Sequence, residues 1–487
     1  MHAQQVIGGV VPDACGPPPA PPGFDVLLER LREVFARFPD RRTGKNKSYS
    51  MLDAALGAFA VFFAQSPSFL ASQKAMQKAR GLSNARTLFG MERVPTDNHV
   101  RTLLDAVPPE TLHPALDALF DALGACGFLD GFHGFRGSRL VAFDGTTTHY
   151  SELIHCAGCT VRKHADGRTD YSHSALTPVL VRPGDPRAVP LRPEFVTPQD
   201  GHAKQDCEIA AAKRWLDQSA DLYREEGVPT TYLGDDLYSH DPFCRKVLGR
   251  GEHFIFTCLA ASHKTLYAWL ALLEEGRDVR RAVRRVKNKE QHWEEWTVRH
   301  AADLPLIDDD KALRVNWLEL VVRDEKGRET YRNTWITDWE LTDEAAFEAA
   351  ASGRARWTIE NGNNNTLKTK GYHLEHNFGH GERHLANTLV AMNILAFLLH
   401  TCLDAADGAY RLVRAALPSR QTFFEHLRAL TTYLCFPAWD ALLDFMMQGL
   451  EIGPYESPPK PSPLPRRRRA PHQAATGVLC PDGAPPA

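Results

Sequence analysis

The stretch from Leu385 to Leu403, LANTLVAMNILAFLLHTCL, is apolar on every side, which narrows what can surround it. A helix that is hydrophobic all round must be enclosed, by lipid or by other protein elements. Asn387, Asn393 and His400 interrupt the run, and no second segment of the same kind accompanies it. These polar interruptions favour a deeply buried helix over a membrane span. Such a helix needs layers of other elements around it, and a chain of 487 residues can supply them.

The order of patterns along the chain says what those layers are. Residues 1–23 are rich in Pro and Gly and are expected to be disordered. Residues 24–128 read as mostly helical. Leu27, Leu28, Leu31 and Val34 repeat at helical spacing, MLDAALGAFAVFFAQ is a more apolar helix, and Thr96 or Asp97 caps the helix carrying Val100, Leu103 and Leu104. From residue 129 to 261 short apolar runs (LVAFDG, SALTPVLV, VPTTYLGDD, HFIFTCLA) alternate with helical stretches, as in a sheet with helices on its faces. Residues 262–340 carry alternating segments (HWEEWTVRHA, LRVNWLELVVRD, TYRNTWITD) and read as a β-rich insertion. The helical pattern returns over 341–452, and the Pro- and Arg-rich end, 453–487, is expected to be disordered.

The formal net charge is −3, which argues mildly against nucleic-acid binding. The positive charge is clustered, however. Arg41, Arg42, Lys45 and Lys47 form one run, Arg280, Arg281, Arg284, Arg285, Lys287 and Lys289 a second, and Arg466 to Arg469 a third. Each can meet phosphates, and each also reads as a solvated face. The 10 cysteines show no framework spacing, and no secretory signal is visible, so a reducing intracellular setting is expected. Cys156 and Cys159 form a CxxC near His155, His164 and His173, with Cys207 further on. That spacing is half of a zinc site, but without a second CxxC it favours buried thiols with incidental histidines over a structural Zn²⁺.

The chemistry is carried by acids. Asp144 follows the apolar run in LVAFDGTTT, and Asp235 follows another in TTYLGDDLYS. A strand end holds the backbone rigidly while exposing the carboxylate. Each Asp alone also reads as a turn or helix cap. Glu360 lies in RWTIENGNNN, four residues after Arg356 and on the same face if the segment is helical. Three carboxylates brought together need cations, and Mg²⁺ or Mn²⁺ suits all-oxygen ligands. The asparagines from Asn361 to Asn365 are weak helix formers. They read either as amides facing a site or as an exposed turn.

Taken in order, these contexts resemble the IS4-like family of DDE transposases. Asp144-Gly145-Thr146 is similar to the setting of that family's first acid, Gly234-Asp235 with Tyr238 to that of its second, and Arg356 with Glu360 to that of its third. The resemblance spans roughly residues 90 to 400. It implies an α/β fold: an RNase H-like catalytic core interrupted by a mainly β insertion, with a helical N-terminal region that binds DNA. It also implies two Mg²⁺ (or Mn²⁺) ions held by Asp144, Asp235 and Glu360, with Arg356 as a catalytic partner. The substrate would be double-stranded DNA, as terminal inverted repeats and target, cut and joined by a homodimer at the nucleoid. A related nuclease that does not integrate, or a DNA-binding protein derived from a transposase, are the alternatives. Two positions depart from the family pattern. Gly353 stands where a Tyr is usual, and Leu367 where a Lys is usual, with Lys368 and Lys370 close by.

Overall fold

The computed structural model describes residues 22–44, 47–198, 206–288 and 290–453. The termini expected to be disordered lie almost wholly outside these residues, as do Lys45, Lys289 and Arg466 to Arg469. The strands are β1 (Arg139–Ala142), β2 (Gly145–Ser151), β3 (Thr160–Lys163), β4 (Thr169–Leu176), β5 (Val179–Val181), β6 (Val189–Pro190), β7 (Glu194–Phe195), β8 (Thr230–Gly234), β9 (His253–Thr257), β10 (Arg280–Lys287), β11 (Trp293–Pro305), β12 (Arg314–Arg323) and β13 (Glu329–Thr337).

Nine strands form one mixed sheet in the order β10-β11-β12-β13-β9-β8-β1-β5-β6. At its centre β1, β8 and β9 run parallel, while β5 and β6 add antiparallel on the other side of β1. β1 and β8 are buried along their whole length, and β9 along all but its first residue, which explains their apolar runs. The four long strands from residue 280 onward are not alike: β12 is buried over most of its length, β11 and β13 only in part, and β10 is largely exposed. They do not stand apart: β13 pairs with β9, and the sheet continues through them to an exposed edge at β10. The helix Asp343–Arg354, capped by Thr342, packs back across this sheet. A second sheet, in which β4 pairs with β2, β3 and β7, grows directly out of the chain after Asp144.

The apolar helix Leu385–Ala406 lies inside the protein, against the helices Met51–Phe63 and His113–Ala125. Two of its polar interruptions find hydrogen-bond partners there. His400 donates from Nε2 to the Phe63 carbonyl (3.0 Å), and Asn393 donates to the Tyr372 carbonyl (2.8 Å). A buried polar group without such a partner would cost about 1–3 kcal/mol. The N-terminal helices and this late helix therefore form one hydrophobic core, which also contains the inner face of β1 and Trp215.

Candidate acidic site

Strand register places the first two acids. β1 and β8 are parallel neighbours with Ala142 opposite Leu233, so Asp144 and Asp235, each two residues further on, emerge side by side at the same edge. Phe143 and Gly234 just before them are buried, which fixes the backbone from which each carboxylate leaves. The Gly234 position must lack a side chain, because a Cβ there would come within 2.7 Å of the Tyr238 ring.

Glu360 arrives from the other end of the chain. It sits in a π-helical turn, Ile359–Asn364, and not in the regular α-helix that the spacing suggests. Single π turns are rare and recur at functional sites. Here the turn buries Asn363 and Asn364 and presses Gly362 so close to Pro186 that a Cβ would lie 2.5 Å from its carbonyl oxygen. Asn364 reads the acidic site directly. Its Nδ2 donates to Asp144 Oδ2 (2.7 Å), while its Oδ1 accepts from Thr177 (3.1 Å) and Asn363 (2.9 Å). Of the two readings of the Asn run, Asn364 fits the one in which an amide faces the site. Arg356, one turn before Glu360, pairs with it at 2.7 Å as the fourfold spacing suggests.

A fourth acid completes the group. Glu208 opens the helix Glu208–Gln218 and accepts from the Tyr238 hydroxyl (2.5 Å) and the Gly145 N–H (3.0 Å). A Cβ on Gly145 would fall 2.1 Å from the Glu208 carboxylate, so the glycine of the Asp-Gly pair makes room for this acid. Sequence reasoning missed Glu208, since an acid in a first helical turn looks like an ordinary partner of the helix dipole.

The crowding shows in proton affinity. Burial, then the charge of Glu208, then those of Glu360 and Asp235, push the Asp144 carboxyl up to about 7, against the opposing pull of Arg356. Burial also raises Glu208, with Asp235 adding to it, while the bonds from Tyr238 and Gly145 oppose the rise. A set of carboxylates that holds a proton near neutrality is one that a hard cation would relieve.

Asp236, next to Asp235, is engaged elsewhere. Its Oδ1 accepts from the Leu259 N–H (2.6 Å), its Oδ2 accepts from the Ser262 hydroxyl, and His263 lies 3.5 Å away. Gly353 and Leu367 are both fixed by packing. Gly353 is buried beneath Trp335, where a Cβ would meet the indole at 2.7 Å, so no Tyr fits there without displacement. Leu367 is fully buried, while Lys368 pairs with Glu375 (2.8 Å).

Among the described residues, two groups of side chains bring three or more potential metal ligands within 4.8 Å of one another, and Asp144, Asp235, Glu208 and Glu360 belong to neither. One is Cys156, Cys159, His173 and His380; the other is Asp236, His240 and His263. The first differs from the set the sequence suggests. Cys207 is exposed, His155 stacks on Tyr171 (4.2 Å between rings) and His164 pairs with Asp170, so these three are not part of it. The residue that joins is His380, from the loop before the helix Leu385–Ala406.

The basic runs differ in their freedom. Arg42 and Lys47 both hold Asp40 (2.9 Å each) and so pull its carboxyl far below the usual range. On the edge strand β10, Arg284 pairs with Glu344 and lies over Phe347 (4.4 Å). Arg281 and Arg285, an even number of residues apart in the strand alternation, are exposed on the opposite face. Trp357, beside the acidic turn, and Trp293, beneath Lys287, are both exposed.

A scan against models of protein families finds no match, and a search of curated proteins finds no relative.

Proposed function

We propose that this chain is a DNA transposase of the DDE type, with an RNase H-like catalytic core, that cuts and joins double-stranded DNA at Asp144, Asp235 and Glu360. The observation that carries the reading is the convergence of these acids. Two leave adjacent parallel strands, and the third stands on a turn that hydrogen-bonds to the first. The central order of strands, with β1 between an antiparallel pair and a parallel pair, supports the RNase H-like reading.

Bound by these carboxylates, two Mg²⁺ ions would supply the positive charge that activates an attacking oxygen and stabilises the departing one. The residues do the rest. Asn364 fixes the rotamer of Asp144 by engaging Oδ2. Arg356 holds Glu360 through Nη2 (2.7 Å), and its planar guanidinium is the group suited to a phosphate beside that carboxylate. The exposed Arg281 and Arg285 offer backbone contacts along the DNA.

The test is to mix the purified chain, Mg²⁺ and labelled DNA carrying the inverted repeats that flank the gene. Cleavage with strand-transfer products supports transposition. Cleavage alone identifies a nuclease, and binding without either product overturns catalysis.

A further inference from the structure

We propose that Cys156, Cys159, His173 and His380 bind one structural Zn²⁺, which ties the small sheet leaving Asp144 to the segment that follows Glu360. The geometry is that of a tetrahedron without its centre. Zn²⁺ takes sulfur at about 2.3 Å and nitrogen at about 2.0–2.1 Å, so tetrahedral edges are about 3.8 Å between sulfurs and about 3.6 Å between sulfur and nitrogen. Cys156 Sγ and Cys159 Sγ are 4.0 Å apart. His173 Nε2 lies 3.4 Å from each sulfur, and His380 Nε2 lies 3.5 Å from Cys159 Sγ. All four donor atoms fall within 4.8 Å of one another.

The surroundings agree. Cys159, His173 and His380 are buried, and Cys156 is partly so. The CxxC turn is closed by the Cys159 N–H donating to the Cys156 carbonyl (3.2 Å), while the Cys156 N–H points at Cys159 Sγ (3.4 Å). Thiolate charge gathered on a metal is stabilised by such an N–H. Four protein donors leave no open position, which is the pattern of a structural and not a catalytic site. His149 stands beside the group, its ring 4.3 Å from that of His380, but its Nε2 is engaged with the Ile154 carbonyl (3.1 Å), so it is left out of the donor set.

The site also has something to hold. The loop before Cys156 exposes Leu153 and Ile154, and β3 is largely exposed, so this region lacks a core of its own. Metal coordination replaces apolar burial in such small units. The donors come from three places: the β2–β3 loop, β4, and a loop more than 200 residues later (separation 221). One ion there cross-links the flanks of the first and third acids.

The full chain, purified without chelator, should carry about one zinc by elemental mass spectrometry. Its Co²⁺-substituted form should show the visible absorption of a tetrahedral site with thiolate charge transfer. Cys159→Ser and His380→Ala should each lose most of the metal. His380→Cys keeps four donors and should retain zinc while strengthening the Co²⁺ charge-transfer band, which separates ligation from mere failure to fold. His149→Ala, Cys207→Ser and Asp144→Asn should keep the metal. Less than about a tenth of an equivalent in the wild-type chain, retention of zinc in both Cys159→Ser and His380→Ala, or its loss in Asp144→Asn, would overturn the proposal. The last result would place the ion in the acidic site instead.

Discussion

Asn364 donates a hydrogen bond to Asp144 at 2.7 Å, joining residues 220 apart in sequence at the point where the first acid and the third-acid turn meet. The bond makes the state of Asp144 a reporter on the whole acidic group, because its carboxyl is held to about 7 by burial and by Glu208, Glu360 and Asp235. An unfolded Asp releases its proton near pH 4. Between about pH 4 and 7 the unfolded chain therefore binds fewer protons at this site than the folded one, and stability falls as pH rises. Asp144→Asn removes that penalty. In Mg²⁺-free buffer its melting temperature should exceed that of the wild type by several degrees at pH 8 and match it near pH 4, while cleavage is abolished. Equal melting temperatures at both pH values would contradict the raised proton affinity.

Glu208→Gln tests the acid that sequence reasoning missed. Gln can still accept from Tyr238 and Gly145, so the fold should hold. Glu208 is the largest charge raising Asp144, and its removal should shift the acidic limb of the pH–cleavage profile downward by on the order of one unit. A loss of more than about 100-fold at every pH would instead mark Glu208 as a group acting directly on the substrate.

Asp235→Asn and Asp236→Asn should separate cleanly. The first should abolish cleavage with DNA binding largely intact. The second keeps an oxygen for the Leu259 N–H but loses the one that accepts from Ser262, and should cost about 1 kcal/mol of stability in denaturant unfolding, with cleavage retained. The reverse pattern would reassign the second acid. Glu360→Gln should behave as Asp235→Asn does.

Gly353→Tyr, which restores the residue usual in the resembled family, should not restore that family's interaction here. The new side chain would run into Trp335, and overpacking of this kind costs about 1–3 kcal/mol. Unchanged stability by thermal melting would show that the indole can move aside.

DNA affinity should depend on salt, and Arg281→Ala with Arg285→Ala should flatten that dependence by about 0.9 in log–log slope for each phosphate that is no longer neutralised. Arg284→Ala should change it less, because that guanidinium is already committed to Glu344 and Phe347. Equal effects from all three would mean that β10 does not lie along the DNA.

What was legible in the sequence follows from how local each signal is. The strand-end positions of Asp144 and Asp235 could be read because a short apolar run that stops at an acid is visible over a few neighbouring residues. That β11 to β13 are strands was visible for the same reason, but not that β13 pairs with β9, since pairing partners leave no mark on a strand's own pattern. Glu208 and His380 were hidden because their meaning lies in what faces them across the fold. The π turn at Glu360 was hidden because its wider turn is enforced by the neighbours of Gly362 and Asn364, not by intrinsic preference. Truncating the N-terminal helices would be a poor probe of DNA binding, because they share a core with the helix Leu385–Ala406.

That shared core sets an order of events during synthesis. A ribosome that has released both aspartates has not yet made Glu360, and the helix that buries Phe63 and Leu119 comes later still. The N-terminal helices must wait for most of the polypeptide before their apolar faces are covered, and the three acids assemble only near the end of translation. A prematurely terminated product thus holds two of the three carboxylates and an open hydrophobic face. Such a product is a target for proteolysis, and whatever chemistry needs Glu360 beside Asp144 waits until the residues after 360 have been made.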